Sequence, residues 1–354
     1  MKKFVRSLFV LFISCTLVAC SSTAGKNENA NNKVYELDVN NWQPSTHHYA
    51  YNAWEPWKEL VEEKTDGQVK VNIYHGSSLG KSSSVYQDIK GGLYDVSLLV
   101  ANYSYDTPFF PYTIGSLPFA FEGPAEASAI LKEFGEKYAK EGLEDLIIMP
   151  PTSTDGYDLF STKPVESIAD LKNRKMRMSG KSENAFIEAL GGTPVSITSE
   201  GIYEGLEKGM IDTAFYTPIG GEALKYYEPA PYITKMAVLV NPLIPVMNKE
   251  FFESLPEDLQ KLFEEELNPA LSQLFTNSYE SELEESHNQL EDNVKKRGKF
   301  TSLSVADTED YRKHGKAAWE LWIKDADQKG YNGQEMADEF FRMLEKAGYP
   351  LPYK

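Results

Sequence analysis

Apolar and polar positions alternate from Val34 to Val39 (V-Y-E-L-D-V), the period of a strand with one buried face. Trp54, Trp57 and Val61 then recur at helical spacing, and Thr65-Asp66-Gly67 supplies a stop. Pro56 fits this helix only in its first turn, where no backbone N–H is needed, so the helix is predicted to start near Glu55. Val69 to Tyr74 alternates again. A helix ending at Gly91-Gly92 and a strand near Asp95 to Val100 follow. The same order returns later: a short strand at Lys175 to Met178, a helix at Ser182 to Leu190 with Ser182 as N-cap, and a strand at Pro194 to Ile197. A helix from Glu200 then stops at Gly209, and a strand covers Thr213 to Tyr216. Two copies of strand–helix–strand–helix–Gly–strand predict two α/β lobes, each with a largely parallel sheet. Ligands of such sheets bind at the carboxyl ends of the strands, so the cleft between the lobes is the predicted site.

The remainder is more helical. Ser254-Leu255-Pro256-Glu257 reads as a capping box with Pro early in the helix, and Leu259, Leu262, Phe263 and Leu267 form an apolar stripe. Helix-favouring sequence runs on to about Lys296, with a kink expected at Pro269, and a final helix pair covers about residues 308–328 and 333–347.

The amino-terminal segment breaks these patterns. Lys2, Lys3 and Arg6 precede an apolar run from Leu8 to Ile13 that is too short for a stable membrane span. Leu17-Val18-Ala19-Cys20 matches a bacterial lipobox, whose cysteine receives a diacylglycerol and becomes the new amino terminus. An ordinary signal peptide with a stray cysteine is the alternative. Residues 21–33 contain no large apolar side chain and read as a flexible tether. The sequence thus divides into a signal peptide (1–19), a lipidated Cys20 with its tether (20–33), lobe I (34–155 plus about 243–285) and lobe II (156–242 plus about 286–354, including the C-terminal helices).

Charge narrows the partners. The 354 residues carry a formal charge of −17, and the first 19 contain three basic and no acidic residues, leaving −20 from Cys20 onward. Phosphate backbones need clustered Lys and Arg, so nucleic acid is not an expected partner. Cofactor and catalytic motifs are not found. Gly80-Lys81-Ser82 and Gly180-Lys181-Ser182 resemble the end of a phosphate-binding loop, but His75 and Lys175 stand where its first Gly is required. His47-His48 is the one histidine pair; neighbouring side chains on a helix or strand point apart, so neither a metal nor a cofactor is expected.

An ordered set of segments identifies a family resemblance. Glu63-Lys64-Thr65-Asp66-Gly67-Gln68-Val69 is followed by Leu117-Pro118-Phe119-Ala120-Phe121 and by Ile168-Ala169-Asp170-Leu171-Lys172-Asn173-Arg174-Lys175-Met176-Arg177. Ala189-Leu190-Gly191-Gly192-Thr193-Pro194-Val195, Gly205-Leu206-Glu207-Lys208-Gly209-Met210-Ile211-Asp212 and Leu255-Pro256-Glu257-Asp258-Leu259-Gln260 come next. Together they resemble the substrate-binding proteins of tripartite ATP-independent periplasmic (TRAP) transporters over nearly the whole mature chain. The resemblance implies a periplasmic-binding-protein-like clamshell of two lobes, joined by crossing segments and one long helix spanning both. It also implies ligand-driven closure and delivery to the membrane permease subunits.

The resemblance gives Arg177 the role of gripping a substrate carboxylate, for which a guanidinium fork is suited. A surface or inter-helix ion pair is the alternative. Asp158 stands where many members carry Arg, which would repel a second carboxylate and favour a hydroxyl, amine or ammonium. Gln87 stands where Glu is frequent. Trp42, Tyr103, Phe215 and Tyr216 place aromatics at strand ends, either lining an apolar or ring-binding pocket or packing the core. The function expected is an extracytoplasmic, lipid-anchored, monomeric receptor for a small carboxylate-bearing ligand. A receptor feeding a membrane sensor kinase is the alternative, and no enzymatic constellation is found. A single acyl chain anchors weakly, so Cys20 is expected to carry two or more. Metabolic labelling with a fatty-acid analogue should mark the wild type and not Cys20→Ser.

Overall fold

The computed structural model describes residues 33–139 and 141–353; the signal segment and Cys20 lie outside them. Two six-stranded sheets form its frame. The first holds β1 (Tyr35–Asn41), β2 (Val69–His75), β3 (Val96–Val100), β4 (Leu146–Ile148), β5 (Thr152–Ser153) and β11 (Pro242–Asn248). The second holds β6 (Asp158–Ser161), β7 (Lys175–Met178), β8 (Thr193–Ser196), β9 (Thr213–Tyr216), β10 (Tyr232–Lys235) and β12 (Lys299–Ser302). Each sheet has a parallel core, β2-β1-β3 in one and β9-β7-β8 in the other. The largely parallel sheets expected are parallel in these cores and mixed beyond them: β11 runs antiparallel to β3 and β4, and β6 antiparallel to β9 and β10. These are the strands by which the chain leaves one lobe and re-enters the other, and returning strands run in the opposite sense.

Helices α1 (Glu55–Lys64), α2 (Val85–Lys90), α3 (Pro124–Tyr138) and α7 (Lys249–Ser254) cover the first sheet, and α4 (Lys181–Ala189) and α5 (Ile202–Glu207) the second. Short α6 (Pro218–Ala223) packs on α9 (Asn268–Val294). Helix α8 (Glu257–Leu262) passes through a π turn at Phe263–Leu267 into α9. A second π turn, Ala50–Trp54, precedes α1. Both lie just before a proline, Pro269 and Pro56; widening the turn accommodates a residue that lacks an N–H and crowds the preceding carbonyl. Two expected caps differ. Ser254 ends α7 and Pro256 itself caps α8, so there is no capping box there. Gly180 rather than Ser182 caps α4.

Helix α9 spans both lobes. Ser272 Oγ donates to the Pro150 carbonyl (2.6 Å) and Thr276 bonds Thr152 (2.6 Å) on the first, while His287 Nε2 meets Asp158 Oδ2 (2.8 Å) on the second. Helix α10 (Val305–Gln328) also bridges the lobes, and α11 (Gly333–Ala347) packs on α10 and on α3 of the first lobe, whereas the sequence assigns both to the second. α10 packs on α4, yet Trp322 Nε1 donates to Thr113 (2.8 Å), Trp319 Nε1 donates to the Pro118 carbonyl (3.1 Å), and Trp322 stacks on Phe110.

The two crossing segments pair with each other. Thr154 N donates to Asn241 O (3.0 Å), Tyr157 N to Leu239 O (2.7 Å) and Val238 N to Tyr157 O (3.1 Å). Three steps on one segment face two on the other, a bulge centred on Gly156. A side chain is excluded at that position, because a β-carbon on Gly156 would lie 2.6 Å from Cβ of Ala237. Ala237 is itself left-handed (φ +49°), and its amide and that of Met236 are both held by Asp158 Oδ1 (3.2 and 2.8 Å). Asp158→Ala would leave two amides and His287 without an acceptor. It should lower the unfolding free energy by about 2–4 kcal/mol, read by urea denaturation, with Asp158→Asn costing less.

Candidate ligand-binding site

Strand β7 delivers Arg177 to the carboxyl ends of β8 and β9, and its side chain is fully buried. Nε donates to the Ile197 carbonyl (2.9 Å), Nη1 to the Phe215 carbonyl (3.1 Å) and Nη2 to the Tyr103 hydroxyl (3.0 Å). The guanidinium lies 5.5 Å from the Tyr216 ring centroid. Among the described residues no carboxylate forms an ion pair with it. Five N–H groups less these three bonds leave one donor on each terminal nitrogen, a pair suited to one carboxylate.

Aromatic residues enclose this charge. Tyr103, from a 3₁₀ turn of the first lobe, accepts from Arg177 and from the Ser199 amide (3.1 Å), so its own proton is uncommitted. Tyr216 contacts Tyr157 (5.7 Å between centroids) and Tyr226 (5.1 Å). Burial holds the hydroxyls of Tyr157, Tyr216 and Tyr226 protonated, well above the usual tyrosine range. Asn241 donates to the Tyr157 hydroxyl (3.2 Å). Trp42 is buried edge-on to Tyr49 (5.7 Å), its indole bonded to Leu98 O (2.8 Å). A cavity of about 570 Å³ opens between the lobes, lined by Trp42, Ser77 and Lys81 on one side and Ser199, Glu200 and Tyr226 on the other; Arg177, Tyr103, Tyr157 and Tyr216 are not in its lining, and Ser199, whose amide bonds Tyr103, connects the two. Another of about 510 Å³ lies within the first lobe, beside α3, and contains none of these groups.

The structure gathers Arg177, Tyr103 and Tyr216, places Trp42 on the wall of the interlobe cavity, and separates the other three candidates from them. Asp158 turns to His287 and to the backbone at residues 236–237, so it is committed to the crossing strands. Phe215 contributes its carbonyl to Arg177, while its ring packs on Phe186 of α4 (6.1 Å). Gln87 is exposed on α2, off the face formed by Tyr86 and Ile89. Residues absent from the sequence reading join the site: Tyr157, Tyr226 and Asn241. The histidine pair also differs from expectation, since the rings of His47 and His48 lie 4.4 Å apart, because the chain there turns into a helix and is neither strand nor mid-helix.

The lobes touch through a second buried polar group. Glu183, in the first turn of α4, accepts from Asn102 Nδ2 (2.9 Å) and Ser116 Oγ (2.5 Å) of the first lobe. Tyr105 bonds Ser182 (2.7 Å) and donates to Asp325 of α10 (2.9 Å), and Ser82 donates to Glu200 (2.8 Å). Gly180 permits this approach, because a β-carbon there would overlap Glu183 and lie 2.9 Å from Asn102 Cγ. Burial raises the Glu183 pKa to about 7, against the hydrogen bonds and the Arg177 charge that lower it.

A family model described as bacterial extracellular solute-binding protein, family 7, matches residues 40–325. A solute-binding protein of Sulfitobacter sp. strain NAS-14.1 is 31% identical over 58% of this chain and 63% of that relative, so the chain spans less than two thirds of its length. The fold is that of a marine-metagenome TRAP solute-binding protein crystallised with 3-hydroxybenzoate (TM-score 0.82, 23% identity, 89% of this chain and 99% of that one). It is also that of a Rhodoferax ferrireducens T118 protein with copurified benzoate (TM-score 0.79, 19% identity, 88% and 98%).

Glu183 makes a pH dependence testable. Its folded pKa, about 7, lies above the ordinary 4.5, so between those values the folded protein holds a proton that the unfolded chain has released. Stability should therefore fall as pH rises from about 4.5 to about 7 and level off above. Thermal unfolding across that range should show a smaller fall in Glu183→Gln than in wild type; burial also raises the carboxyls of Asp95, to about 6, and of Asp155, so part of the fall remains.

Proposed function

Because the chain belongs to the bacterial extracellular solute-binding proteins of family 7, we propose that it is the receptor of a TRAP-type secondary transporter. It captures a small organic monocarboxylate between its lobes and hands it to the membrane permease subunits. It acts outside the cytoplasm, held to the membrane through lipidated Cys20, as a monomer and without catalysis. The observation that carries this reading is the buried Arg177, which has two uncommitted donors and no ion-pair partner among the described residues. A charge taken out of water at such cost is retained where an anion completes it.

The strand ends supply the rest. Ile197 and Phe215 carbonyls fix the guanidinium plane from two neighbouring strands. Tyr103 reaches it from the opposite lobe and has a proton to offer the same anion, so a carboxylate at Arg177 bonds to both lobes at once. Such a ligand favours the arrangement in which the lobes meet, by mass action on the conformers. Trp42 and Tyr226, which line the cavity between the lobes, offer flat apolar walls for a ring. The 3-hydroxybenzoate and benzoate bound in the two similar structures are ring-bearing monocarboxylates, which supports this class.

Native mass spectrometry of the purified protein identifies a retained ligand, and calorimetry then measures it. Arg177→Ala should weaken binding by roughly 30- to 4,000-fold, about 2–5 kcal/mol, and Arg177→Lys should restore only part, because the fork is lost. Wild-type affinity in Arg177→Ala would overturn the carboxylate clamp.

A further inference from the structure

We propose that Glu200 is a latch between the lobes: clasped by Ser82 across the interlobe cavity, it sets how long a captured acid is held. This inference rests on the two-lobe capture proposed above.

The clasp joins the two walls of the cavity. Lys81 lines it on the first lobe and Glu200 on the second, and Ser82, next to Lys81, reaches Glu200. Glu200 Oε1 accepts both the Ser82 hydroxyl (2.8 Å) and the Ser82 amide (3.3 Å). Ser82 is 2% exposed, and among the described residues neither of these donors has an acceptor in its own lobe.

Each partner is prepared by its own lobe. The Gly80 carbonyl accepts Asn40 Nδ2 (3.1 Å), and the Lys81 carbonyl takes the amide and the hydroxyl of Ser84 (both 3.1 Å), which fixes the turn that carries Ser82. Glu200 Oε2 accepts the Ser199 hydroxyl (3.3 Å), leaving Oε1 for the other lobe. Partial burial raises the Glu200 pKa, but its own amide and the hydroxyls of Ser82 and Thr198 outweigh this and hold the carboxyl below its usual range, so it is ionised at neutral pH. Hydrogen bonds to an ionised acceptor are the stronger kind.

The clasp is separate from the grip. The Ile197 carbonyl holds Arg177, the Ser199 amide bonds Tyr103, and the Tyr226 hydroxyl holds the Ser199 carbonyl (2.7 Å) from within the second lobe. Truncating the Glu200 side chain removes none of these bonds. Glu200 is also exposed in part, so when the lobes part water replaces Ser82 on its carboxylate. Such a contact favours closure and still lets it reverse. Release must break the clasp, whereas capture begins with the lobes apart, so its loss acts on dissociation and not on association.

Stopped-flow binding of 3-hydroxybenzoate and of benzoate to the mature protein tests this. Glu200→Ala should speed dissociation about tenfold, with association within about threefold of wild type. Ser82→Ala, which keeps the amide, and Glu200→Gln, which keeps an uncharged acceptor, should each give a smaller increase. Adding Ser82→Ala to Glu200→Ala should have no further effect, because both remove one contact. Wild-type dissociation in Glu200→Ala, with Arg177→Ala weakening both acids, would overturn the latch and leave the clamp standing. If Glu200→Ala speeds dissociation and Ser82→Ala does not, Glu200 acts on the acid directly and the latch is again overturned. If neither acid binds the wild type, the ring-bearing class proposed above is overturned, and small-angle scattering without added acid decides the latch. There Glu200→Ala should give a larger radius of gyration than wild type, and an equal radius would overturn it.

Discussion

The structure turns on one buried positive charge. Arg177 is removed from water at the ends of β8 and β9, and carbonyl dipoles and tyrosines surround it without neutralising it. Carbonyls orient a guanidinium but do not cancel its charge, so the site is incomplete in the electrostatic sense. The parallel order β9-β7-β8 makes this arrangement possible, because neighbouring strands end side by side and present carbonyls to a long side chain from the strand between them. Tyr103 then links the charge to the other lobe, so on the proposed reading the group that holds the ligand also depends on the lobes being together.

Two features make that coupling mechanical. The crossing segments are paired antiparallel and tightened at Gly156 and Ala237, where Asp158 and His287 fasten them to α9. At the opposite edge, Glu183 is buried against Asn102 and Ser116 of the other lobe. The first is held by Asp158, whose two oxygens are both occupied. The second is a contact between separate surfaces, and it depends on a carboxyl whose charge burial disfavours. A clamshell needs both kinds of contact, one that persists and one that is easily parted.

Local pattern carried most of the element order, because β1 to β3 and β7 to β9 are built from short alternating runs closed by helices that stop at glycine. It did not carry the antiparallel β6 and β11, whose direction is set by the chain's passage between lobes. In the site, Arg177 was legible through its motif. Asp158 was a neighbour's error: consecutive residues of an extended segment face opposite sides, and Tyr157 turns to Asn241 while Asp158 turns to His287. The same alternation forbids Phe215 and Tyr216 from both lining one pocket, and helical spacing puts Gln87 off the face of Val85 and Ile89. Those three corrections were available from periodicity alone. Glu183 was not, because its partners are 81 and 67 residues away on another lobe. His47 was not, because its ring depends on an irregular turn.

The overall charge adds a constraint on what this cleft can select. From Cys20 onward the chain carries −20, so the long-range field opposes an anionic ligand. That field is screened over about 8 Å at physiological ionic strength, whereas Arg177 is buried and is screened much less. Recognition is therefore local, and the distant charges contribute a penalty that grows with ligand charge. A monoanion meets that penalty once and is compensated by the guanidinium. A dianion meets twice the opposing potential, with Arg177 the one buried cation among the described residues. On the proposed reading, the acidic surface and the single buried arginine act in the same direction, towards ligands with one negative charge and a neutral remainder.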